Sequence, residues 1–190
     1  MNPAIESCEF IALLERASAF HGHMCTGLYV GVRMALFASD LLDADWADES
    51  FVVEVETDRC PADGILIATG LSVGRKRYKI LDYGKCSASF YNTRSGMGYR
   101  IRFRSEAFPF SRLDVVKKFS SVSDSDLFEI KKVAKRFSDF DLPGKITREV
   151  VCSRCGEMVQ DGREVYFSGS AYCIPCGDYF LRGGIHDAAY

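Results

Sequence analysis

The chain has 190 residues, 47% of them hydrophobic, and a formal net charge of -2. That length suits one sizeable domain or a domain plus a small module, and the near-neutral charge offers no bulk attraction for nucleic acid or an anionic membrane. No apolar run approaches the roughly 18 residues of a membrane span. The N-terminal stretch "MNPAIESCEFIALLERASAF" carries acids where a secretory signal would be basic and then apolar. These features predict a soluble, cytoplasmic protein with no membrane role.

In chain order, residues 6–19 are expected to form an amphipathic helix, because Phe10, Leu13, Leu14 and Ala17 recur at helical spacing. The stretch "FHGHMCTGLYVGVR" (20–33) then leads into a second helix, expected over 24–42. Leu28, Val32, Ala35 and Leu36 share one face of it, and Gly27, Gly31 and Ala35 make a small-residue stripe that lets another backbone approach closely. "FVVEVET" (51–57) alternates and is β-branched, which marks a strand. "CPADGILIATG" (60–70) reads as a helix with proline at its first position and glycine at its end. The basic loop "GRKRYKI" follows, then strands expected at 78–83, 86–92 and 98–104. Their connections are too short for crossover helices, so a meander is expected. "SVSDSDLFEIKKVAKRFSDF" (121–140) predicts a helix, opened by Ser123 with Asp126 three residues on, as in a capping box. The expected fold class is α+β: helices packed on a mostly antiparallel sheet over residues 1–142. Past the linker candidate "DLPGK" (141–145), a small four-cysteine zinc-ribbon or zinc-finger module is expected over 148–190.

Eight cysteines fall into two groups. Cys8, Cys25, Cys60 and Cys86 are scattered, whereas Cys152, Cys155, Cys173 and Cys176 are clustered as C-x2-C-x17-C-x2-C. In a reducing compartment, clustered thiols favour metal over disulfides. Two-residue spacing lets both thiolates of a pair face one ion, and the glycine after each pair permits a tight turn. Structural zinc in a closed tetrahedral site is the default, with iron as the alternative. The intervening "EMVQDGREVYFSGSAY" reads as a hairpin. A module this small needs the metal for much of its folding energy. Arg154, Arg163 and Arg182 are candidates for phosphate contact, and protein contact is equally compatible with the module.

The second constellation is His21, His23 and Cys25. In an extended approach to the helix, alternate residues would face one pocket at its positive end, which favours thiolates and anionic ligands. Three ligands with an open position make a catalytic metal site. A histidine cap with a buried cysteine is the purely structural alternative. Cys60 occupies the start of the next helix and Asp63 its first turn, so one site forms only where the two helix starts converge. In the basic loop, Arg75 and Lys76 are candidates for holding an anion, with Arg77, Lys79 and Lys85 nearby. Tyr29, Arg33 and Tyr91 are weaker candidates for lining a pocket.

Taken together, "FHGHMCTGLYVGVRMA", "CPADGILIATGLSVGRKRY" and "DYGKCSASFYNTRSGMGYRIRF" resemble the FmdE family of formylmethanofuran dehydrogenase proteins. The resemblance implies an α+β core over about 1–140, a homodimer with the core site near the interface between its copies, and compatibility with a C-terminal zinc finger. By position it implies that His21, His23, Cys25, Cys60, Asp63 and Lys85 belong to the core site. Two departures are Thr26, where the family usually has proline, and Leu71, where it often has cysteine; the second removes a thiol from the expected site.

Three readings follow. In the first, the chain is an enzyme or accessory subunit of anaerobic one-carbon or formyl metabolism acting on a small anionic substrate or cofactor. Its core pocket binds a second transition metal through His23, Cys60 and one of His21 or Cys25, and Asp63 orients a histidine or acts as a base. In the second, it is a metal-sensing or regulatory protein whose zinc finger contacts protein or nucleic acid. In the third, Cys25 or Cys60 is a nucleophile with a histidine base.

Overall fold

The β-branched run at 51–55 forms strand β1 (Phe51–Val55), buried along its whole length. A five-stranded sheet is built around it in the order β2-β1-β3-β4-β5, with β2 at Tyr78–Ile80, β3 at Ser87–Asn92, β4 at Met97–Phe103 and β5 at Phe128–Ala134. The computed structural model describes residues 8–108 and 115–181. The chain divides into two units, residues 1–137 and 138–190.

Three helices share one core with the sheet: α1 (Cys8–His21), α2 (Thr26–Leu42) and α3 (Cys60–Thr69). α2 is the centre of the core. Leu28, Val30, Val32, Met34 and Ala35 on it are fully buried and share one core with Val53, Val55, Phe90 and Ile101 of the sheet. Burial of the larger of these side chains stabilises by about 1.5–3 kcal/mol each. Polar pairs extend the sheet's contacts, with Arg100 donating to both oxygens of Glu56 at 2.6 Å.

α3 crosses between β1 and β2, and that crossover makes β1 and β2 parallel. The other three pairings are antiparallel. The expected meander is therefore correct from β3 onward, while β2 departs from it to the far edge beside β1.

The helix expected over 121–140 is not formed. Its capping box is: the Asp126 amide donates to Ser123 Oγ at 3.2 Å. The helix it opens, α5 (Asp124–Leu127), lasts one turn before Phe128 turns extended. In a helix, Phe128 and Ile130 would point to different sides. As strand β5 they share a face, stand opposite Phe103 and Ile101, and complete the sheet's hydrogen bonds. Exposed Lys131 and Lys132 then guard the edge against further pairing. A short helix α4 (Val115–Phe119) sends Phe119 into the core.

The second unit contains β6 (Glu149–Val151), β7 (Met158–Gln160), β8 (Glu164–Phe167), β9 (Ser170–Cys173) and α6 (Ile174–Leu181). Its segment 157–172 is not one hairpin. β7 pairs back onto β6, and β8 and β9 form the hairpin proper.

Candidate metal centre

The core site begins where α1 stops. Gly22 takes φ +90° and its amide bonds Ser18 O at 2.8 Å, a left-handed helix end that glycine adopts without strain. The chain then runs extended to Cys25 (φ -150°, ψ 167°), whose Sγ accepts the Leu28 amide at 3.4 Å. Cys25 thus occupies the N-cap of α2. The turn at Gly22 does not separate the histidines: the rings of His21 and His23 lie 4.6 Å apart.

Glycines bring the second half of the site into place. A Cβ on Gly31 would sit 2.3 Å from Pro61 O, and one on Gly64 would sit 2.5 Å from Leu28 O. Real side chains cannot approach so closely, so α2 and α3 pack backbone to backbone as the small-residue stripe predicts. A Cβ on Gly27 would lie 3.0 Å from Cys60 Cβ, which fixes Cys60 against the start of α2. From β2, the buried Tyr78 hydroxyl donates to Ala62 O at 2.5 Å and ties down the first turn of α3.

One ligand atom each from His21, His23, Cys25 and Cys60 then falls within 4.8 Å of every other, a group that could hold a metal ion. His21 Nδ1 bonds Asp63 Oδ2 at 2.7 Å, while its Nε2 is buried with no hydrogen-bond partner. An orphaned ring nitrogen beside two thiols, with the other nitrogen held by a carboxylate, is the arrangement of an oriented metal-ligating histidine. The residues present therefore fit a metal. A cleft of about 690 Å³ opens beside them, lined also by Thr57, Arg59, Gly84, Cys86 and Ser105.

Both thiols of the cleft wall with shifted acidity are shifted upward. Burial, and then Cys25, raises Cys60. Burial, and then Cys60, pushes Cys86 up to about 12. A nucleophilic cysteine needs the opposite shift, so Cys60 is poorly suited to be the nucleophile of that reading.

Other expected residues fall elsewhere. Lys85 is exposed, with Nζ over the Tyr83 ring; its neighbours Gly84 and Cys86 line the cleft and it does not. Arg75 pairs with Glu49 at the surface, and neither it nor Lys76 lines the cleft. Arg77 donates to Phe51, Trp46 and Asp48 carbonyls and closes the loop before β1. Tyr29 is fully buried, Arg33 is buried against Asp124, and Tyr91 packs edge-on to Phe137. Leu71 is a core residue beyond the far end of α3, a helix about 15 Å long. A cysteine missing there leaves the ligand group intact.

Sequence reasoning passed over Arg59 and Cys86. Arg59 carries a legible signal: it occupies the N-cap of α3, where short polar side chains normally cap, and makes no capping bond. Cys86 carries none, since only the sheet's geometry brings it to the cleft.

In the second unit the ligand atoms of Cys152, Cys155, Cys173 and Cys176 also lie within 4.8 Å of one another. Cys155 and Cys173 sulfurs are 3.9 Å apart. Gly156 takes φ +77° and its amide bonds Cys152 O, the expected tight turn. Gly177 does not turn; it lies in α6, where a Cβ would meet Val165 Cγ2 at 2.1 Å. Burial raises the Cys152 thiol, but backbone amides of Cys155, Cys173 and Arg154 outweigh it and bring it down to about 6. Arg163 pairs with Asp141, and Arg182 lies outside the described residues.

A mixed sheet carrying a histidine–cysteine group that could hold a metal, followed by a four-cysteine module that could hold another, defines an α+β protein with two candidate metal sites. The family model described as "FmdE, Molybdenum formylmethanofuran dehydrogenase operon" matches residues 20–135. The chain belongs to the FmdE family. It is 27% identical over 205 aligned positions to a probable S-adenosyl-L-methionine-binding protein of Archaeoglobus fulgidus, covering 85% of this chain and 54% of that protein. The chain thus spans about half the length of that curated relative. A tungsten formylmethanofuran dehydrogenase FmdE-like protein from Syntrophus aciditrophicus shares the fold, with TM-score 0.52 and 22% identity over 90% of this chain and 91% of that one.

Proposed function

We propose that this chain is an enzyme or accessory subunit of one-carbon or formyl metabolism whose core cleft holds a transition metal and acts on a small anionic substrate or cofactor. The observation that carries the reading is the convergence of His21, His23, Cys25 and Cys60 at the wall of an open cleft. When bound there, a metal would supply Lewis-acid polarisation of a coordinated oxygen. Asp63 holds the His21 ring through Nδ1 and leaves the buried Nε2 for a metal, and Cys25 is the buried member of the group. In the second unit, zinc is the proposed occupant of the four thiols, with a structural role. A homodimer belongs to the same reading. S-adenosyl-L-methionine enters the list of cofactors to screen because the curated relative carries that name.

X-ray absorption on a Cys152→Ser/Cys155→Ser variant tests the core site alone. The reading expects a mixed shell, with nitrogen near about 2.0–2.1 Å and sulfur near about 2.3 Å. A shell of oxygen and nitrogen only contradicts it.

A further inference from the structure

Among the described residues lining the core cleft, one carries a fixed charge, Arg59, and no Asp or Glu is present. Five other arginines of the first unit are held by carboxylates within the protein. Arg33 holds Asp124, Arg75 holds Glu49, Arg94 holds Asp48, Arg100 holds Glu56 and Arg102 holds Glu106. Arg59 differs. Its carboxylate neighbour, Asp58, lies 3.8 Å from Nε, and the two side chains are 86% and 62% exposed. That separation is beyond hydrogen-bond distance. The side chain also makes no bond to the helix it caps. Its planar fork of donors is free to meet a ligand.

We infer that Arg59 is the specificity-determining residue of the cleft and that the ligand carries a carboxylate seated on its guanidinium. This rests on the reading of the cleft as a ligand site, and not on the metal. The anion is a carboxylate rather than a phosphate on grounds of charge. A single fork matches the two oxygens of one carboxylate, and among the described residues no second cation lines the cleft to balance a dianion. The starts of α2 and α3, at Gly27 and Pro61, also line the cleft and add partial positive charge. At about 690 Å³ the cleft is far larger than a bare carboxylate and falls within the range of small-molecule sites, so the ligand has a body beyond its acid group.

Amide spectra of the full chain, purified with its metal, provide the test. The signals of Gly27, Thr57 and Gly84 are followed during titration with acetate, inorganic phosphate and neutral acetamide. Acetate is expected to move them, phosphate to act more weakly, and acetamide to do nothing. Arg59→Gln should weaken the acetate response about tenfold, the loss of one charge-assisted pair, and Arg59→Lys should fall between. Acetate binding unchanged in Arg59→Gln, no acetate response at these amides, or phosphate binding tighter than acetate each overturns the assignment. Repeating the titration after chelation separates the two claims. A response that disappears with the metal but ignores Arg59→Gln places the anion on the metal, and the Arg59 assignment falls alone. An Arg59-dependent response in protein without core metal upholds it while the metal reading falls.

Discussion

His21 Nδ1 stands 2.7 Å from Asp63 Oδ2, and this hydrogen bond joins the last residue of α1 to the first turn of α3. It decides which nitrogen of His21 is left for a metal. Asp63→Asn should keep the fold, since Asp63 is partly exposed. It should weaken core-metal affinity by about 10–100-fold, the usual effect of losing such an orienting carboxylate. Competition with a chromophoric chelator measures this. Metal held by the second unit should be unaffected.

The site depends equally on the contact between α2 and α3. Gly31→Ala places a methyl 2.3 Å from Pro61 O, and backbone cannot yield as a flexible side chain would. The expected cost is about 1–3 kcal/mol, as for other overpacked cores, read as a lowered urea midpoint. Because Cys60 precedes Pro61, the variant should also lose core metal. Full metal retention would show that the ligand group does not rely on this close approach.

These two contacts differ in how far they are legible in the sequence. Gly27, Gly31 and Ala35 mark a close-packed helix face in any sequence, and the structure uses the first two in that way. The pairing of "HGHMC" with "CPAD" does not follow from helix-start signals, which leave their convergence open; only the family resemblance implies it. The turn at Gly22 does not follow either: the spacing predicts an extended path from 21 to 25, and a left-handed glycine delivers the same convergence by another route. Strand β5 is hidden because a real capping box at Ser123 precedes residues with good helix propensity. Only the vacant edge of β4, invisible in the local sequence, decides for a strand. Lys85 draws attention through its motif, whereas the neighbouring Cys86 lines the cleft.

Thiol reactivity separates the metal reading from the nucleophile reading. Cys60 and Cys86 are both raised, by burial first, so after chelation at neutral pH they should remain largely protonated. Iodoacetamide should label exposed Cys8 before either. Rapid labelling of Cys60 in metal-replete protein would revive the nucleophile.

Acid stability should report Glu56. Hydrogen bonds from Arg100 hold its carboxyl below the ordinary carboxylate range, against the effect of burial, and the Ser87 hydroxyl adds another. The folded pKa is lower than the unfolded one near 4.5. The stabilisation is therefore complete above that value and is lost as pH falls through the folded pKa. Urea midpoints from about pH 6 to about pH 3 should fall more gently in Glu56→Gln than in wild type, with the variant weaker at neutral pH. Parallel curves would mean that the Glu56–Arg100 pair does not set acid stability.

Elemental analysis of three proteins tests the core metal centre most directly: wild type, Cys152→Ser/Cys155→Ser and Cys25→Ser/Cys60→Ser. Two ligand groups predict two metal ions per chain in the wild type and one in each variant. A Cys152→Ser/Cys155→Ser protein that is folded and free of metal would contradict the core centre.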